Sequence, residues 1–320
     1  MSSPTFKPVS VRAGVNIALI KYWGKAKDQE NLPAVGSISM TLRDLFTQTR
    51  ISVSPDDSDH FELNGIPTRD PRVFKLLDQV RTRAGIDQPM QVVSQNFVPT
   101  ASGLASSASG SAALVTAAWK FLTDRDEWTE VIDIVRKGSG SAPRSLLGGL
   151  VELDKARGEI RQLSPPEAWP LSMVVAQLSE GAKATSSRHG MAHTRATSIY
   201  YDAWVQAHPY DLARAREAIE RQDLEQLGTV MESSTMRMHA CMLGARPPLI
   251  YWNARTLQVI ELVHTLRKSG VGAWYTMDAG PHVKILCLPD DAHDIRHAID
   301  ASGVSLKTTI DSMGDGVCVQ

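Results

Sequence analysis

The sequence has almost no excess of charge of either sign. Its 34 Lys and Arg residues are matched by 35 Asp and Glu residues, which leaves a formal net charge of −1 at pH 7. A protein that holds nucleic acid by neutralising phosphates normally carries a strongly basic domain or stripe. The composition therefore argues against a nucleic-acid-binding protein, and any anion that the protein binds must meet a local cluster of cations.

Cysteines and long apolar runs are also scarce. Cys241, Cys287 and Cys318 are odd in number and far apart, so they offer neither a disulfide framework nor a Cys-x-x-Cys metal site. Residues 1–11 have no apolar core behind a basic start, and nowhere do about 18 uncharged apolar residues follow one another. We therefore expect a soluble cytoplasmic protein that does not associate with membranes.

No internal repeat or low-complexity segment interrupts the chain, and 320 residues with 42% apolar content suffice for two lobes. Strand-like and helix-like patterns alternate, which predicts an α/β fold. The stretch 179–190, rich in Ser, Gly and Ala, is the expected junction between an N-terminal lobe (1–182) and a C-terminal lobe (183–320). Strands are predicted at 15–20, 47–54, 150–153, 171–177, 273–277 and 283–288, and helices at 72–83, 105–122, 211–231 and 254–268.

A loop rich in Ser and Gly, residues 99–110, runs into the second predicted helix. Small residues at a helix start let backbone N–H groups approach an anion, and the helix dipole favours negative charge there. The loop is not a Walker A motif, because the Gly-Lys-Ser/Thr ending is missing. A flexible linker is the alternative reading of this composition. A linker would stay polar on both sides, so the periodic helix that follows favours a phosphate site.

Three further segments carry groups that suit an anionic ligand. The run 16–25 ends an alternating apolar pattern with two lysines, a tyrosine and a tryptophan, and residues 139–144 read Ser-Gly-Ser-Ala-Pro-Arg. Residues 276–281 read Thr-Met-Asp-Ala-Gly-Pro, and the predicted hairpin loop 278–282 places an aspartate at the mouth of a cleft. Taken alone, such charged residues most often lie on a solvated surface or cap a turn. Their combination favours an anion-binding site.

Together these segments resemble a known family. The pattern Pro-x-x-x-Gly-Leu-Ala-Ser-Ser-Ala at 99–108 is similar to the phosphate loop of the GHMP kinase superfamily. With the segments at 16–25, 138–145, 186–191, 238–240 and 276–281, the chain looks like the diphosphomevalonate decarboxylases of that superfamily. The resemblance covers almost the whole chain. It implies a two-lobed GHMP kinase fold with the active site in the cleft between the lobes, and a homodimer.

The activity that this resemblance implies is the ATP-dependent decarboxylation of mevalonate 5-diphosphate. The 3-hydroxyl is phosphorylated, and phosphate and CO₂ then leave together to give isopentenyl diphosphate. Mg²⁺ would accompany ATP. Asp278 would accept or orient the hydroxyl proton, while Lys21 and Arg144 would stabilise charge on the leaving group. The implied substrate-binding residues are Tyr22, Trp23, Gly24, Lys25, Arg72, Ser139, Gly140, Ser141 and Arg188, and the implied nucleotide-binding residues are Gly103, Leu104, Ala105, Ser106, Ser107 and Ser109.

The chain departs from the family pattern at three positions. Gly36 stands in place of the usual Asn, Pro143 in place of the usual Cys, and His282 in place of the usual Asn. Proline removes a backbone donor and stiffens its loop. These departures bear on how the diphosphate is recognised, because none of them alters the three residues to which the chemistry is assigned.

Two alternatives stay open at this level. One is a sister activity, such as a phosphomevalonate decarboxylase or a mevalonate 3-kinase, and the other is a non-catalytic relative that binds ATP. Retention of Asp278 in its full motif favours an enzyme. The pairs His189/His193 and His293/His297 have a spacing that could hold a metal on a helix, but no third ligand is signalled, so no metal site on the protein is expected.

Overall fold

The computed structural model describes residues 6–27, 31–98, 106–155, 158–181 and 185–320, without the side chains of Lys27 and Ser106. The mixture of strands and helices in these residues confirms the predicted α/β class. The strands are β1 Val9–Ile20, β2 Lys25–Lys27, β3 Leu32–Pro33, β4 Ser37–Val53, β5 His60–Leu63, β6 Ile66–Pro67, β7 Met90–Phe97, β8 Leu150–Leu153, β9 Ile160–Ser164, β10 Ser172–Gln177, β11 Trp274–Thr276, β12 Val283–Cys287, β13 Lys307–Ser312 and β14 Cys318–Val319. The α-helices are α1 Pro71–Ala84, α2 Ser106–Thr123, α3 Ile132–Gly138, α4 Ser187–Thr197, α5 Tyr201–Arg221, α6 Leu224–Leu243, α7 Ala254–Lys268 and α8 Pro289–Ser302.

The larger sheet is built around β1 and β4. Its strands follow the order β14-β1-β4-β7-β5-β6, and β8 pairs with both β4 and β9. The register between β1 and β4 shifts next to Gly14, where a side chain would collide with the backbone of Leu42. Glycine is therefore required for the close approach of the two strands. Helix α2 packs on β1 and β4 through a face that includes the fully buried Ala112, Ala113 and Ala117.

The smaller sheet has the order β11-β12-β10-β13, and each neighbouring pair is antiparallel. Side chains of β10 alternate between two cores, as the pleat of a strand requires. Val174 and Ala176 pack in a core that includes α7 and α8. Met173 and Val175 belong instead to a core that also contains residues of β1, α5 and α6. The second core therefore joins the two sheets.

The C-terminal segment returns to the larger sheet. Asp311 of β13 accepts hydrogen bonds from the backbone N–H groups of Asp44 and Leu45 in β4, at 2.9 and 2.8 Å. Met313 forms a bridge with Leu42, and β14 then pairs with β1 along its outer edge. The two sheets are thus connected by backbone hydrogen bonds as well as by apolar packing.

Most of the predicted elements are confirmed, and the helix predicted at 254–268 matches α7 at both ends. The prediction of a single helix at 211–231 is wrong. Helix α5 ends at Arg221, Gln222 takes a left-handed φ of 54°, and Asp223 caps α6 by accepting a hydrogen bond of 2.9 Å from the backbone N–H of Gln226. The turn at Gln222 and the cap at Asp223 therefore divide into two helices a stretch whose apolar pattern predicts one.

The division into lobes at residues 182 and 183 stays a prediction, because residues 182–184 lie outside the described part of the chain. Strand β10 precedes that position and lies in the smaller sheet. Among the described helices, none is both long and apolar enough to span a membrane.

Candidate active site

A cavity of about 680 Å³ lies where the two halves of the chain meet. Its wall combines the end of β1 and the turn after it, the segment 138–144, the start of α4 and the hairpin loop between β11 and β12. The structure therefore brings together segments that are far apart in the chain, from Asn16 to Ala279, as the sequence motifs predict. The predicted site residues that line this cavity are Lys21, Tyr22, Trp23, Lys25, Arg72, Ser107, Ser139, Gly140, Ser141, Arg144, Arg188 and Asp278.

The carboxylate of Asp278 is held between two buried lysines. Its Oδ1 atom lies 2.8 Å from Nζ of Lys21, and its Oδ2 atom lies 2.9 Å from Nζ of Lys284. The two lysine side chains are 1% and 2% exposed, whereas that of Asp278 is 28% exposed. The carboxylate is therefore the most exposed member of this group. Lys21 lines the cavity beside it, whereas Lys284 is not among the lining residues.

Burial and charge act in opposite directions on these groups. Burial raises the pKa of Asp278, but the positive charges of Lys21 and Lys284 and their hydrogen bonds outweigh it and hold that pKa well below its ordinary value. The pKa of Lys21 is lowered to about 8. Burial is the largest cause, the nearby charge of Lys284 acts in the same direction, and Asp278 opposes them. At neutral pH, Asp278 is ionised and Lys21 is protonated.

Arg144 is a buried cation whose side chain forms hydrogen bonds only to neutral groups among the described residues. Its guanidinium donates to Oδ1 of Asn16 at 2.9 Å and also to the hydroxyl of Ser37, and burial lowers its pKa to about 10. No carboxylate forms an ion pair with it among the described residues. Asn16 in turn donates to Oγ of Ser145 at 2.7 Å, which fixes the amide. A buried guanidinium without an acidic partner is costly, and an anionic ligand in the cavity would compensate it.

The end of β1 is held in place by helices from the second half of the chain. The backbone N–H of Lys21 donates to Oγ of Ser234 in α6 at 3.1 Å, and its carbonyl pairs with Nε2 of His208 in α5 at 2.8 Å. Its Nζ also donates to the carbonyl of Ala18 at 2.9 Å. Lys21 is consequently fixed at both backbone and side chain, so its charge occupies a defined position.

The segment 139–141 lies against the turn that follows β1. Oγ of Ser139 and Oγ of Ser141 are 3.5 Å apart, and a side chain at Gly140 would collide with the hydroxyl of Tyr22. Glycine is thus needed for the backbone to approach the tyrosine. The wall here presents hydroxyls and backbone groups next to Lys25, a set of donors that suits a phosphate.

Two other predicted substrate contacts, Arg72 and Gly24, are not part of the buried charged group. Arg72 lines the cavity with a side chain that is 76% exposed, and Asp70, the N-cap of α1, holds it by an ion pair of 2.5 Å. Gly24 does not line the cavity. It has a φ of 89°, and a side chain there would collide with the hydroxyl of Tyr201, so its role in the structure is to form the turn.

The start of α2 reaches the cavity through Ser107. Ser109 does not reach it, because its hydroxyl is fully buried and lies 2.8 Å from Oγ1 of Thr47. Two residues along a helix correspond to about 200° of rotation, so Ser107 and Ser109 lie on nearly opposite faces. The predicted contacts Gly103, Leu104 and Ala105, and the side chain of Ser106, lie outside the described residues.

Sequence reasoning missed Lys284 and assigned no role to Asn16. Both are polar residues within otherwise apolar buried strands, and that is the signal that could have identified them. The three departures also have structural explanations. His282 is buried and its Nδ1 accepts a hydrogen bond of 3.1 Å from the backbone N–H of Leu178. Leu212 of α5 occupies the space beside Gly36, and Pro143 lies in the first turn of the short 3₁₀ helix Ala142–Leu146.

Residues 13–162 match the family model for the diphosphomevalonate decarboxylase-like N-terminal domain. Residues 173–315 match that for the mevalonate 5-diphosphate decarboxylase C-terminal domain. The diphosphomevalonate decarboxylase of Candida albicans is 38% identical over 300 residues, which cover 86% of this chain and 83% of the relative. That of Rattus norvegicus is 33% identical, over 91% of this chain and 79% of the relative.

Solved structures agree with this assignment. Mevalonate diphosphate decarboxylase from Staphylococcus aureus superposes with a TM-score of 0.93 at 36% identity, covering 99% of this chain and 98% of that one. MDDEF in complex with MVAPP, AMPPCP and magnesium gives a TM-score of 0.91 at 36% identity, with 99% of both chains covered. The fold is therefore the two-lobed α/β fold of the GHMP type, with a cavity that suits a phosphorylated ligand. The chain belongs to the diphosphomevalonate decarboxylase family.

Proposed function

We propose that this protein catalyses the ATP-dependent decarboxylation of mevalonate 5-diphosphate to isopentenyl diphosphate, with release of ADP, phosphate and CO₂. The observation that carries the proposal is the group formed by Asp278, Lys21 and Arg144 on the wall of one cavity, in a chain of this family. An ionised carboxylate faces the cavity, and two buried cations lie on the same wall. This is the arrangement that phosphorylation of an alcohol followed by loss of an anionic leaving group requires.

In the first step, Asp278 accepts a hydrogen bond from the 3-hydroxyl, orients its oxygen toward the γ-phosphoryl group of ATP, and takes the hydroxyl proton as the new O–P bond forms and the bond to ADP breaks. The carboxylate is ionised at neutral pH, because the neighbouring lysines lower its pKa. It is therefore available as an acceptor over the whole physiological range. Lys21, fixed 2.8 Å from the carboxylate, places a positive charge where the transferred phosphoryl oxygens gather negative charge.

In the second step, the C–C bond to the carboxylate breaks as the 3-phosphate departs, and its electrons form the double bond of the product. Negative charge moves from the substrate carboxylate to the leaving phosphate. Arg144 suits this stage because its planar guanidinium can bind a carboxylate or a phosphate through two donors. Its lack of an acidic partner among the described residues leaves its charge available to the substrate.

The diphosphate end of the substrate is assigned to the hydroxyls and backbone of 139–141, with Tyr22, Trp23 and Lys25 beside them and Arg188 and Arg72 at the cavity's outer wall. The diphosphate carries several negative charges, and this part of the wall supplies three cations. The complex of MDDEF, a 36% identical chain, with MVAPP, AMPPCP and magnesium supports a diphosphate substrate for this protein.

The nucleotide is assigned to the start of α2, where Ser107 faces the cavity and the first-turn N–H groups of an 18-residue helix are available to a phosphate. ATP supplies the phosphoryl group, and the Mg²⁺ that accompanies it neutralises charge on the β- and γ-phosphates. No cluster of three His, Cys, Asp or Glu side chains that could hold a metal occurs within the described ranges. In this proposal the protein binds the metal together with the nucleotide.

Three broader assignments complete the proposal. We place the lobe boundary near residues 182 and 183, as the Ser- and Gly-rich stretch there favours. We assign the protein to the cytoplasm, which agrees with the three free thiols of Cys241, Cys287 and Cys318. A homodimer is the assembly that the family resemblance implies, and the molar mass in solution would test it.

The decisive experiment measures CO₂ and ADP release with ATP and Mg²⁺, using mevalonate, its 5-phosphate and its 5-diphosphate as separate substrates. We expect the diphosphate alone to give both products in equal amounts. ADP release without CO₂ would indicate a 3-kinase, and preference for the monophosphate would indicate a phosphomevalonate decarboxylase.

The variant Asp278→Ala separates an enzyme from an ATP-binding relative. We expect it to bind ATP as the unaltered protein does, while its turnover falls by at least about 1,000-fold, because the group that orients the hydroxyl is lost. Equal turnover in the variant and the unaltered protein would contradict the role given to Asp278.

A further inference from the structure

Lys284 occupies an unusual position for a lysine. It lies in β12, a strand whose five residues are all buried, opposite Thr276 of β11 and Val175 of β10. Its side chain is 2% exposed, and it is absent from the residues that line the cavity. Its Nζ donates to Oδ2 of Asp278 at 2.9 Å. The lysine therefore contacts the carboxylate from behind the cavity wall.

A cation at this place is not what stability alone would favour. Removing an ammonium group from water costs several kcal/mol, and a well-packed apolar side chain is often equal or better at such a site. Leu286, which lies two residues further along β12 and therefore on the same face, is fully buried in the apolar core that joins the two sheets. The presence of Lys284 on this face is explained by the carboxylate that it contacts.

The geometry also shows what the contact does. Asp278 belongs to a hairpin loop, and a loop carboxylate held by a single partner can rotate about its Cβ–Cγ bond. Here Lys21 holds Oδ1 and Lys284 holds Oδ2, so the plane of the carboxylate is fixed from two sides. Each oxygen keeps a further lone pair, because a carboxylate accepts about four hydrogen bonds in total. One oxygen can therefore still accept from a substrate hydroxyl.

We propose that Lys284 is a positioning residue for the reaction, which holds Asp278 in the orientation that receives the substrate hydroxyl without itself touching the substrate. This inference rests on the proposed decarboxylation. It assigns to the smaller sheet an active part in the site, since β12 carries the cation and the preceding loop carries the carboxylate.

The charge of Lys284 acts on the whole group. The titratable or charged side chains that respond to it are Asp278, Lys21 and His239 of α6, and Arg144 lies on the same wall. Lys284 helps to lower the pKa values of all three responding groups. Its removal would raise the pKa of Lys21, and any loss of activity caused by deprotonation of Lys21 would then begin at a higher pH.

The test compares Lys284→Met with the unaltered protein in the assay for CO₂ and ADP. We expect kcat to fall by roughly 10- to 100-fold, because the carboxylate is no longer held in place. KM for the substrate and for ATP should change by less than about threefold, since Lys284 lies behind the wall. The alkaline limb of the kcat/KM profile should move to higher pH. Lys284→Arg, which keeps the charge, should recover part of kcat.

Lys307→Met is the matched control. Lys307 lies on β13 of the same sheet and is exposed, so this variant removes a lysine charge without a contact to Asp278. It should leave kcat and the pH profile unchanged. If Lys284→Met does not fold, Lys284→Gln is compared with Lys284→Arg, and the Arg variant should be faster by about tenfold.

Three results would overturn the inference. They are an unchanged kcat and pH profile in folded Lys284→Met, a rise in substrate KM with kcat unaffected, and equal kcat values for the Gln and Arg variants. Each presupposes that the unaltered protein releases CO₂. Failure of the unaltered protein to do so would count against the proposed function and would not bear on Lys284.

Discussion

At the level of single residues, two buried lysines hold one carboxylate, and a third buried cation, Arg144, lies on the same cavity wall. Lys21, Lys284 and Arg144 carry three positive charges and Asp278 carries one negative charge, so these four residues have a net charge of about +2. The protein as a whole has a formal charge of −1. The affinity for anions is therefore created locally by where the cations lie, as the neutral composition of the sequence requires.

Lys21 gives this site a testable response to pH. Its pKa is lowered to about 8, mainly by burial, so a rise in pH through this value removes the charge that faces the phosphoryl group. We expect kcat/KM, which reports the free enzyme, to fall above about pH 8 and to fall tenfold for each further pH unit. Lys21→Arg should show a lower but level profile over this range, because a guanidinium stays charged.

Comparing the pH profiles of the unaltered protein and of Lys21→Arg shows whether Lys21 or another group causes the alkaline loss of activity. A profile of the unaltered protein that is level to about pH 9.5 would contradict the assignment. The same alkaline limb in Lys21→Arg would show that a different group titrates, since arginine cannot lose its proton in this range.

Sequence reasoning identified the site residues that lie in loops and turns. Asp278 and Arg144 stand beside Gly and Pro in compact motifs, so they could be recognised from the chain alone. Lys284 could not, because its significance comes from pairing with Asp278 across a hairpin. Ser109 was assigned to the nucleotide from a motif, whereas the periodicity of α2 turns it toward Thr47.

At the level of elements, the start of α7 holds the catalytic loop. Asn253 and Thr256 form a capping box, and Oγ1 of Thr256 also donates to the carbonyl of Pro281 at 2.8 Å. His282 fixes the end of the same loop through the backbone of Leu178. The loop that carries Asp278 is thus tied both to a helix and to the residue after β10.

Thr256→Val tests whether this attachment matters for turnover. The variant keeps the shape of the side chain but loses the hydroxyl, and with it the contact to Pro281 and half of the capping box. We expect a loss of about 1–2 kcal/mol in the free energy of unfolding, measured by urea denaturation. We also expect kcat to fall by roughly tenfold, because the loop is less well placed.

Thr265→Val provides the control. Thr265 lies on the exposed face of the same helix, where its hydroxyl donates to the carbonyl of Glu261. This variant should leave kcat unchanged and alter stability by no more than about 0.5 kcal/mol. Equal effects of the two substitutions on kcat would show that the contact with Pro281 is not used.

Elements with strong periodicity were predictable, and their breaks were not. Helix α7 was predicted from apolar residues that share one helical face, and both of its ends agree with the structure. The division between α5 and α6 depends on the left-handed φ of Gln222, a residue type that carries no strong turn signal. An apolar pattern continues through such a break, so only the structure shows that the chain turns there.

At the level of the whole molecule, one core serves both sheets. Val15, Ile17 and Leu19 of β1 belong to the same buried cluster as Met173 and Val175 of β10. The interface between the two halves is therefore continuous with the interior of each half. Contacts of this kind couple the stability of the parts.

We expect the protein to unfold in a single cooperative transition. Because neither half can lose its structure without exposing the shared core, far-UV circular dichroism and near-UV circular dichroism should report the same midpoint in urea. Two separated transitions, or midpoints that differ between the two signals, would contradict this expectation and would indicate that the halves are independently stable.

The pairing of β14 with β1 has a consequence for how the protein is made. Strand β1 is synthesised long before its partner at residues 318–319. Until then, the outer edge of β1 lies open, and an open edge can pair with a strand from another chain. A newly synthesised molecule is consequently prone to associate wrongly until residues 318–319 have been made, and slower elongation through the intervening residues would prolong that interval.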